Sequence, residues 1–151
     1  MNPLAAGRLR FDGVSEEVGP ELTRSAFERS PLARDASIGV ENPPWISYRL
    51  IQRIEGQQLH VTLSFEDDAL RYVRVSFYEG PRDWKVWSEQ GELELKDRHD
   101  EWISAQLGEL IVPQEDRRVP YPYTSWRFGW GELWSSYDPR SAGSSFGLNY
   151  E

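Results

Sequence analysis

Two histidines, His60 and His99, occur in the chain, so any histidine-based mechanism must use one of them. His99 falls on the apolar side of a predicted helix, and Glu92 lies two turns earlier on the same side. A histidine and a carboxylate placed in this way can act as a general base with its orienting partner, or as part of a metal site. A single histidine on the buried side of a helix is more often a hydrogen-bonded packing residue, and we expect that role for His99. His60 alternates with apolar residues on a predicted strand and is expected to face solvent.

The sequence offers little support for a metal site or for a nucleophile. It contains no cysteine and no H-E-x-x-H pair, so the usual zinc ligands are missing. Glu66-Asp67-Asp68 gathers carboxylates in one turn, but the spacing is not that of a calcium loop. We therefore expect no metal and no cofactor. A carboxylate pair for glycoside hydrolysis stays open, because such a pair is defined by distance in space.

Aromatic residues are concentrated at the end of the chain. Nine of the 20 aromatics lie there: Tyr121, Tyr123, Trp126, Phe128, Trp130, Trp134, Tyr137, Phe146 and Tyr150. We expect most of them, including Trp126 and Phe128, to complete the core. Trp130, Trp134 and Tyr137 are predicted to be the binding residues, because exposed tryptophan and tyrosine commonly anchor protein partners.

The charge balance narrows the class of partner. The chain has 17 basic and 25 acidic side chains, which gives a formal charge of −8 at neutral pH. This charge repels nucleic acid phosphates and anionic lipids, so neither nucleic acid nor a membrane is expected as a partner. No apolar run approaches the roughly 20 residues of a membrane span, and the N-terminus lacks a secretory pattern. A soluble, cytoplasmic protein is expected.

Residues 45 to 79 contain three runs in which apolar and polar residues alternate. The apolar positions are Ile46, Tyr48, Leu50 and Ile54, then Leu59, Val61, Leu63 and Phe65, then Val73, Val75 and Phe77. This alternation predicts a three-stranded antiparallel meander, in which each strand offers one apolar face to a core. The polar segments 55–58 and 66–69 have the length and composition of hairpin loops.

Helices are predicted on either side of the meander. Residues 21–30 show helical spacing after Pro20, and residues 8–12 are expected to form a short strand. A longer helix is predicted within residues 84–108, with Gly108 as its C-terminal stop. Its apolar stripe comprises Leu95, His99, Trp102, Ile103, Gln106, Leu107 and Leu110. Residues 31–44 and 113–122 are expected to be loops because they are rich in proline and lack a period.

The last segment predicts a closing hairpin. Trp126, Phe128, Trp130 and Trp134 share one parity, and alternation resumes at Phe146 after a turn-forming run. We therefore predict an α+β fold in one domain, residues 1–151. Its antiparallel sheet consists of the three-stranded meander plus the C-terminal hairpin, packed against one long and one short helix.

These patterns favour a small acidic protein-binding domain without catalytic activity, such as an inhibitor, an immunity-type protein or an accessory subunit. One alternative is a small hydrolase that uses His99 with Glu92 or a carboxylate pair. Another is a carbohydrate-binding module that uses the Trp-rich C-terminal hairpin. An enzyme requires a pocket around its catalytic groups, a sugar binder requires coplanar exposed tryptophans, and a protein binder requires an exposed patch. The sequence identifies neither the partner nor the oligomeric state.

Overall fold

A computed structural model describes residues 2–151 and shows a chain built mainly from antiparallel strands. The strands are β1 (Leu9–Arg10), β2 (Glu17–Val18), β3 (Ser37–Asn42), β4 (Trp45–Ile54), β5 (Gln57–Glu66), β6 (Ala69–Phe77), β7 (Glu115–Arg117), β8 (Tyr123–Phe128), β9 (Gly131–Asp138) and β10 (Gly143–Tyr150). The helices are α1 (Arg24–Arg29) and α2 (Glu89–Leu107), with 3-10 turns at Leu4–Ala6 and Pro31–Ala33. No helix within these residues combines the length and the apolar character needed to cross a membrane.

One large sheet dominates the molecule. It contains eight strands in the order β3-β4-β5-β6-β10-β9-β8-β7, while β1 and β2 form a separate two-stranded sheet. All neighbouring strands are antiparallel. The predicted α+β class is therefore wrong: the protein is mostly β, with one long helix. A three-stranded meander plus a hairpin understates the sheet.

The sequence predicts too few strands because the two edge strands lack the usual sequence pattern. β3 lies within the predicted loop 31–44, and β7 lies within the predicted loop 113–122. Nearly all residues of β3 and all residues of β7 are exposed, so neither strand alternates between core and solvent. Alternation is the signal by which strands are recognised in a sequence. An edge strand without a buried face does not carry it.

The interior strands pair in a register that builds one continuous apolar face. Leu63 of β5 lies opposite Tyr48 of β4 and Val73 of β6, and Val73 in turn lies opposite Leu148 of β10. Residues that lie directly opposite point to the same side of a sheet. We call this apolar side the inner face and the opposite side the outer face.

The helices and the N-terminal segment cover the inner face. α2 is capped by Ser88, whose hydroxyl accepts the N–H of Gly91, and it buries His99, Ile103 and Leu107. In α1, Phe27 packs with its ring centroid 4.8 Å from that of Tyr48. The N-terminal segment adds further buried side chains: Leu4, Leu9, Phe11 and Val18. The core thus lies on one side of the large sheet.

The C-terminal aromatics do not keep the predicted common parity. A turn at residues 129–130 separates β8 from β9, so the segment is two strands and not one. Trp126 of β8 lies opposite Leu133 on the inner face, whereas Trp134 of β9 lies opposite Ser125 on the outer face. Gly131 enters β9 with a φ of +144°, a conformation that side chains rarely allow.

Gly131→Ala is expected to lower the free energy of unfolding by about 2 kcal/mol or more. A Cβ at this position would overlap the carbonyl oxygen of Asn149 and would also be strained by the positive φ. Gly129→Ala is the matched control, because a Cβ there meets no atom within 4 Å. It should change stability by less than about 0.5 kcal/mol. Urea unfolding followed by tryptophan fluorescence measures both. Equal free energies of unfolding for the two variants would contradict the positive φ and the close packing described for Gly131.

Candidate functional site

The outer face of β4, β5 and β6 carries a row of polar side chains. Arg49, Thr62 and Arg74 lie directly opposite one another on the three strands, so all three point outward. His60 lies on the same face of β5, two residues before Thr62. Arg49, His60 and Arg74 are exposed, and Thr62 is half-buried. These residues occupy the polar positions of the meander's alternating pattern.

A cleft of about 1040 Å³ lies over this part of the outer face. Its floor presents a set of hydroxyl groups: Ser47, Thr62, Ser64, Ser76 and Ser145. Its wall is the connection between β6 and α2, residues 78–88. Trp87 fixes that connection, because its indole N–H donates to the carbonyl oxygen of Ala142 at 3.0 Å. The cleft is therefore bounded by strands on one side and by an anchored connection on the other.

The floor of the cleft is positively charged although the chain is acidic. Neither Arg49 nor Arg74 takes part in the ion pairs formed among residues 2–151. Partial burial, and then the charge of Arg49, lowers the pKa of His60, so its imidazole is neutral at pH 7. The two guanidinium groups remain available to an anion.

Aromatic rings border the hydroxyl-lined floor. Trp45 and Tyr72 stack on the outer face with centroids 5.5 Å apart and planes inclined by 12°. Tyr72 is 47% exposed, and Trp45 lines the cleft. Further along the sheet, the Trp134 ring packs against Gly147 and donates its indole N–H to Oδ1 of Asn149 at 3.0 Å. The outer face thus combines cationic, hydroxyl and aromatic groups.

The structure does not bring the three predicted binding residues together. Trp134 is half-buried on the outer face. Trp130 lies in the turn before β9, where its indole N–H donates to the carbonyl oxygen of Ala5 at 2.9 Å. Tyr137 is 3% exposed on the inner face, and its hydroxyl donates to Glu89 at 2.9 Å. Binding by Trp130, Trp134 and Tyr137 remains a prediction, but the three residues do not form one cluster.

His99 and Glu92 form bonds with different parts of the sheet. The His99 ring is fully buried, and its Nε2 accepts the backbone N–H of Phe77 at 3.1 Å. Burial lowers the pKa of His99 to about 3, so the ring is neutral at pH 7. The Glu92 carboxylate instead accepts the backbone N–H of Ser144 at 3.0 Å. In this arrangement both residues attach α2 to the sheet.

Lys96 is a buried cation that sequence reasoning did not place in the core. It is 0% exposed, and its ammonium group forms an ion pair with Asp100. It also donates to the hydroxyl of Thr124 on β8 at 2.8 Å. The bond to Thr124 links α2 to β8, whereas the ion pair with Asp100 lies within the helix. Its position three residues before His99 on the helix was the available signal.

The acidic turn after β5 bonds to α1 and to β6. Asp68 accepts the backbone N–H of Ser25 at 2.9 Å and its hydroxyl at 2.8 Å, and these bonds lower the pKa of the carboxyl group. Glu66 pairs with Arg71. Across residues 2–151, no group of three or more histidine, aspartate or glutamate side chains is arranged to hold a metal ion.

One short motif went unrecognised in the sequence. Residues 143–147 read G-x-S-x-G, with Ser145 at the centre. In hydrolases this pattern makes a sharp strand-to-helix turn that exposes the serine hydroxyl. Here it lies within β10, where Ser145 pairs opposite Ser136 of β9. A continuous strand does not form that turn, so the match carries no catalytic implication.

The buried state of His99 predicts a pH dependence of stability. The unfolded imidazole takes up a proton below its ordinary pKa of 6.5, whereas the folded ring does not until about 3. The contribution of the neutral His99 ring to the free energy of unfolding is therefore fully present above pH 6.5 and is lost as the pH falls towards 3. Between pH 7.5 and 5.5 the wild type should lose about 1.4 kcal/mol that His99→Gln does not lose. Urea unfolding at both pH values measures the difference. Parallel losses in the two proteins would show that His99 is protonated when folded.

No family model matches the chain, and neither a curated protein nor a solved structure matches it.

Proposed function

We propose that the chain is a protein-binding domain without catalytic activity, in the manner of an inhibitor, an immunity-type protein or an accessory subunit. The observation that carries the proposal is the exposed apolar edge of the large sheet at β3. β3 pairs with β4 on one side and ends the sheet on the other. Its Ile38 and Val40 are each 57% exposed.

A bulge makes this edge apolar on both sides. The register shifts between Ile38 and Val40, so that Ile38 lies opposite Tyr48 and Val40 lies opposite Ser47. Tyr48 belongs to the inner face and Ser47 to the outer face. A strand added beside β3 would therefore find an apolar neighbour above and below its backbone, in addition to free backbone hydrogen-bonding groups.

The opposite edge of the sheet is built differently. β7 has three residues, Glu115–Arg117, and all of them are charged and exposed. Short, charged edge strands are a common device against unwanted pairing. β3 is twice as long, and its exposed centre is apolar. We infer that the partner supplies an extended segment with apolar side chains, which pairs with β3. The formal charge of −8 favours encounter with a basic protein.

Affinity capture with matched variants tests the proposal. Ile38→Lys and Val40→Lys place a charge on the β3 edge without removing a buried group. Val119→Lys is the control, because Val119 is 80% exposed and lies far along the chain from β3. Quantitative mass spectrometry of extracts from the source cells should show a protein that the wild type and Val119→Lys retain. Both β3 variants should lose it at least tenfold, since a desolvated charge opposes pairing.

Trp134→Ala, used as bait in the same experiment, separates β3 from the aromatic anchor predicted by the sequence. β3 and β9 are five strands apart in the sheet. If the partner pairs with β3, Trp134→Ala should retain it. A protein lost with Trp134→Ala but kept by the β3 variants would place the interface on the C-terminal strands. A wild type that retains no protein specifically would contradict the protein-binding function itself.

A further inference from the structure

We propose that the cleft on the outer face binds a phosphate-bearing small molecule, with the phosphate held between Arg49 and Arg74. This inference goes beyond the proposed pairing at β3, because it concerns the outer face of β4–β6 and a different class of ligand, although Val40 borders both surfaces. It rests on the register of β4, β5 and β6, on the free guanidinium groups, and on the hydroxyl groups of the cleft floor.

The register determines the spacing of the two cations. Arg49 and Arg74 flank Thr62 in one cross-strand row, so their Cα atoms are separated by two strand spacings, about 10 Å. An arginine side chain is long enough to reach halfway across this distance. Two guanidinium groups can therefore contact one phosphate from opposite sides, above the hydroxyl of Thr62.

Two other arginines on the same face are already paired with carboxylates, and a third, Arg53, donates to the backbone carbonyl oxygen of Gly56 at 3.1 Å. Arg71, also on β6, is 3.3 Å from the carboxylate of Glu66. Arg127 on β8 is 3.3 Å from Glu132 and 2.7 Å from Glu151. In a chain with more acidic than basic side chains, carboxylates are available to pair with most cations. Within residues 2–151, the two cations of the cleft floor have none within 4.0 Å, which leaves their hydrogen-bond donors for a ligand.

A glycine on β3 leaves room for one of these side chains. A Cβ at Gly39 would lie 2.9 Å from Nε of Arg49 and 3.0 Å from the hydroxyl of Ser47. The stem of Arg49 thus crosses β3 where that strand has no side chain. Arg49 therefore leans towards β3, and its side chain rotates back over β4 to meet a phosphate above Thr62, a movement that an exposed side chain makes readily.

The acidic side chains of the cleft belong to its wall, and each has another role. Glu79 pairs with Arg98, and Glu92 accepts the N–H of Ser144. Asp83 accepts the backbone N–H of Lys85 at 2.9 Å. These carboxylates stand on the connection between β6 and α2 and on α2 itself, whereas the cations stand on the strands. The charge on the floor is therefore positive.

The size of the cleft indicates more than an inorganic ion. A volume of about 1040 Å³ is at the upper end of the range for small-molecule sites, roughly 300–1,000 Å³. Val40 and Trp45 also line the cleft and offer apolar surface beyond the arginine pair. The geometry suits a phosphate monoester whose organic part lies along Trp45. Stacking on a tryptophan favours a flat ring in that part.

Titration of the purified protein tests the site directly. The probes are inorganic phosphate, pyrophosphate and adenosine monophosphate, with adenosine as the unphosphorylated control. Binding is measured by calorimetry and by the fluorescence of the cleft tryptophans. All three phosphates should bind and adenosine should not, with adenosine monophosphate tighter than inorganic phosphate. Binding should weaken as the salt concentration rises, because the attraction is electrostatic.

Three substitutions locate the binding. Arg49→Gln and Arg74→Gln should each weaken phosphate binding at least tenfold, since each removes charge-assisted hydrogen bonds. Arg53→Gln is the matched control: it is exposed on the same strand as Arg49, with the same parity, but it does not line the cleft. It should bind as the wild type does. All three residues are exposed, so circular dichroism and melting temperature should remain unchanged.

The outcomes that overturn the site are specific. If no probe binds the wild type at 10 mM, the cleft is not a phosphate site. If Arg53→Gln weakens binding as much as Arg49→Gln and Arg74→Gln, the attraction is diffuse and the row is not the site. Neither result bears on the partner at β3, because the titration contains no partner and leaves Ile38 and Val40 unaltered.

Discussion

The pairing of β6 with β10 is the constraint on which the rest of the structure depends. It joins residues about 75 positions apart in the chain, with Val73 opposite Leu148 and Val75 opposite Phe146. Without it, the meander and the C-terminal strands would be two small sheets, each with edges to protect. The close approach needs Gly147, where a Cβ would overlap the carbonyl oxygen of Val73. The same glycine leaves the space that the Trp134 ring occupies.

That pairing also determines where the core and the functional surfaces lie. Once the two halves form one sheet, α2 packs against β6, β9 and β10, while Phe27 of α1 packs against β4 and β5. Both helices and the N-terminal segment pack against the inner face, so none of them covers the outer face. The outer face of β4–β6 must then satisfy its side chains with solvent, with one another or with a ligand. Its composition of arginine, hydroxyl and aromatic groups follows from this one-sided arrangement.

The sequence predicted the parts of the fold in which burial leaves a periodic trace. The three meander strands and the long helix each bury one face, and their patterns predicted them, including the end of the helix at Gly108. The closing hairpin was predicted only in part, because the alternation of its first strand continues through the turn that separates β8 from β9. β3 and β7 were not predicted, because both lie at edges of the sheet and are exposed on both sides. The turn at residues 129–130 was not predicted either. In the sequence, Trp130 continues the alternation of β8, although the chain reverses direction there.

The sequence predicted the residues of the candidate site less well than it predicted the elements of the fold. Trp130, Trp134 and Tyr137 are near in sequence, but the turn and the alternation of β9 send them to three environments. Arg49 and Arg74 are 25 positions apart, and only the register of the meander brings them into one row. The alternating pattern predicts that both arginines point away from the core. It does not predict their alignment, because register depends on the bulge in β6 after Leu70 and on the loop lengths.

The local charge of the cleft also shows why net charge is a limited guide to partners. Three of the acidic side chains, Glu94, Asp97 and Glu101, lie on the exposed side of α2. α2 packs on the inner face, so these carboxylates and the arginines of the outer face lie on opposite sides of the sheet. At physiological ionic strength, exposed charges are largely screened beyond about 8 Å. On the proposal of a phosphate site, the arginines of the outer face act at contact distance, where the charge of these distant carboxylates is largely screened.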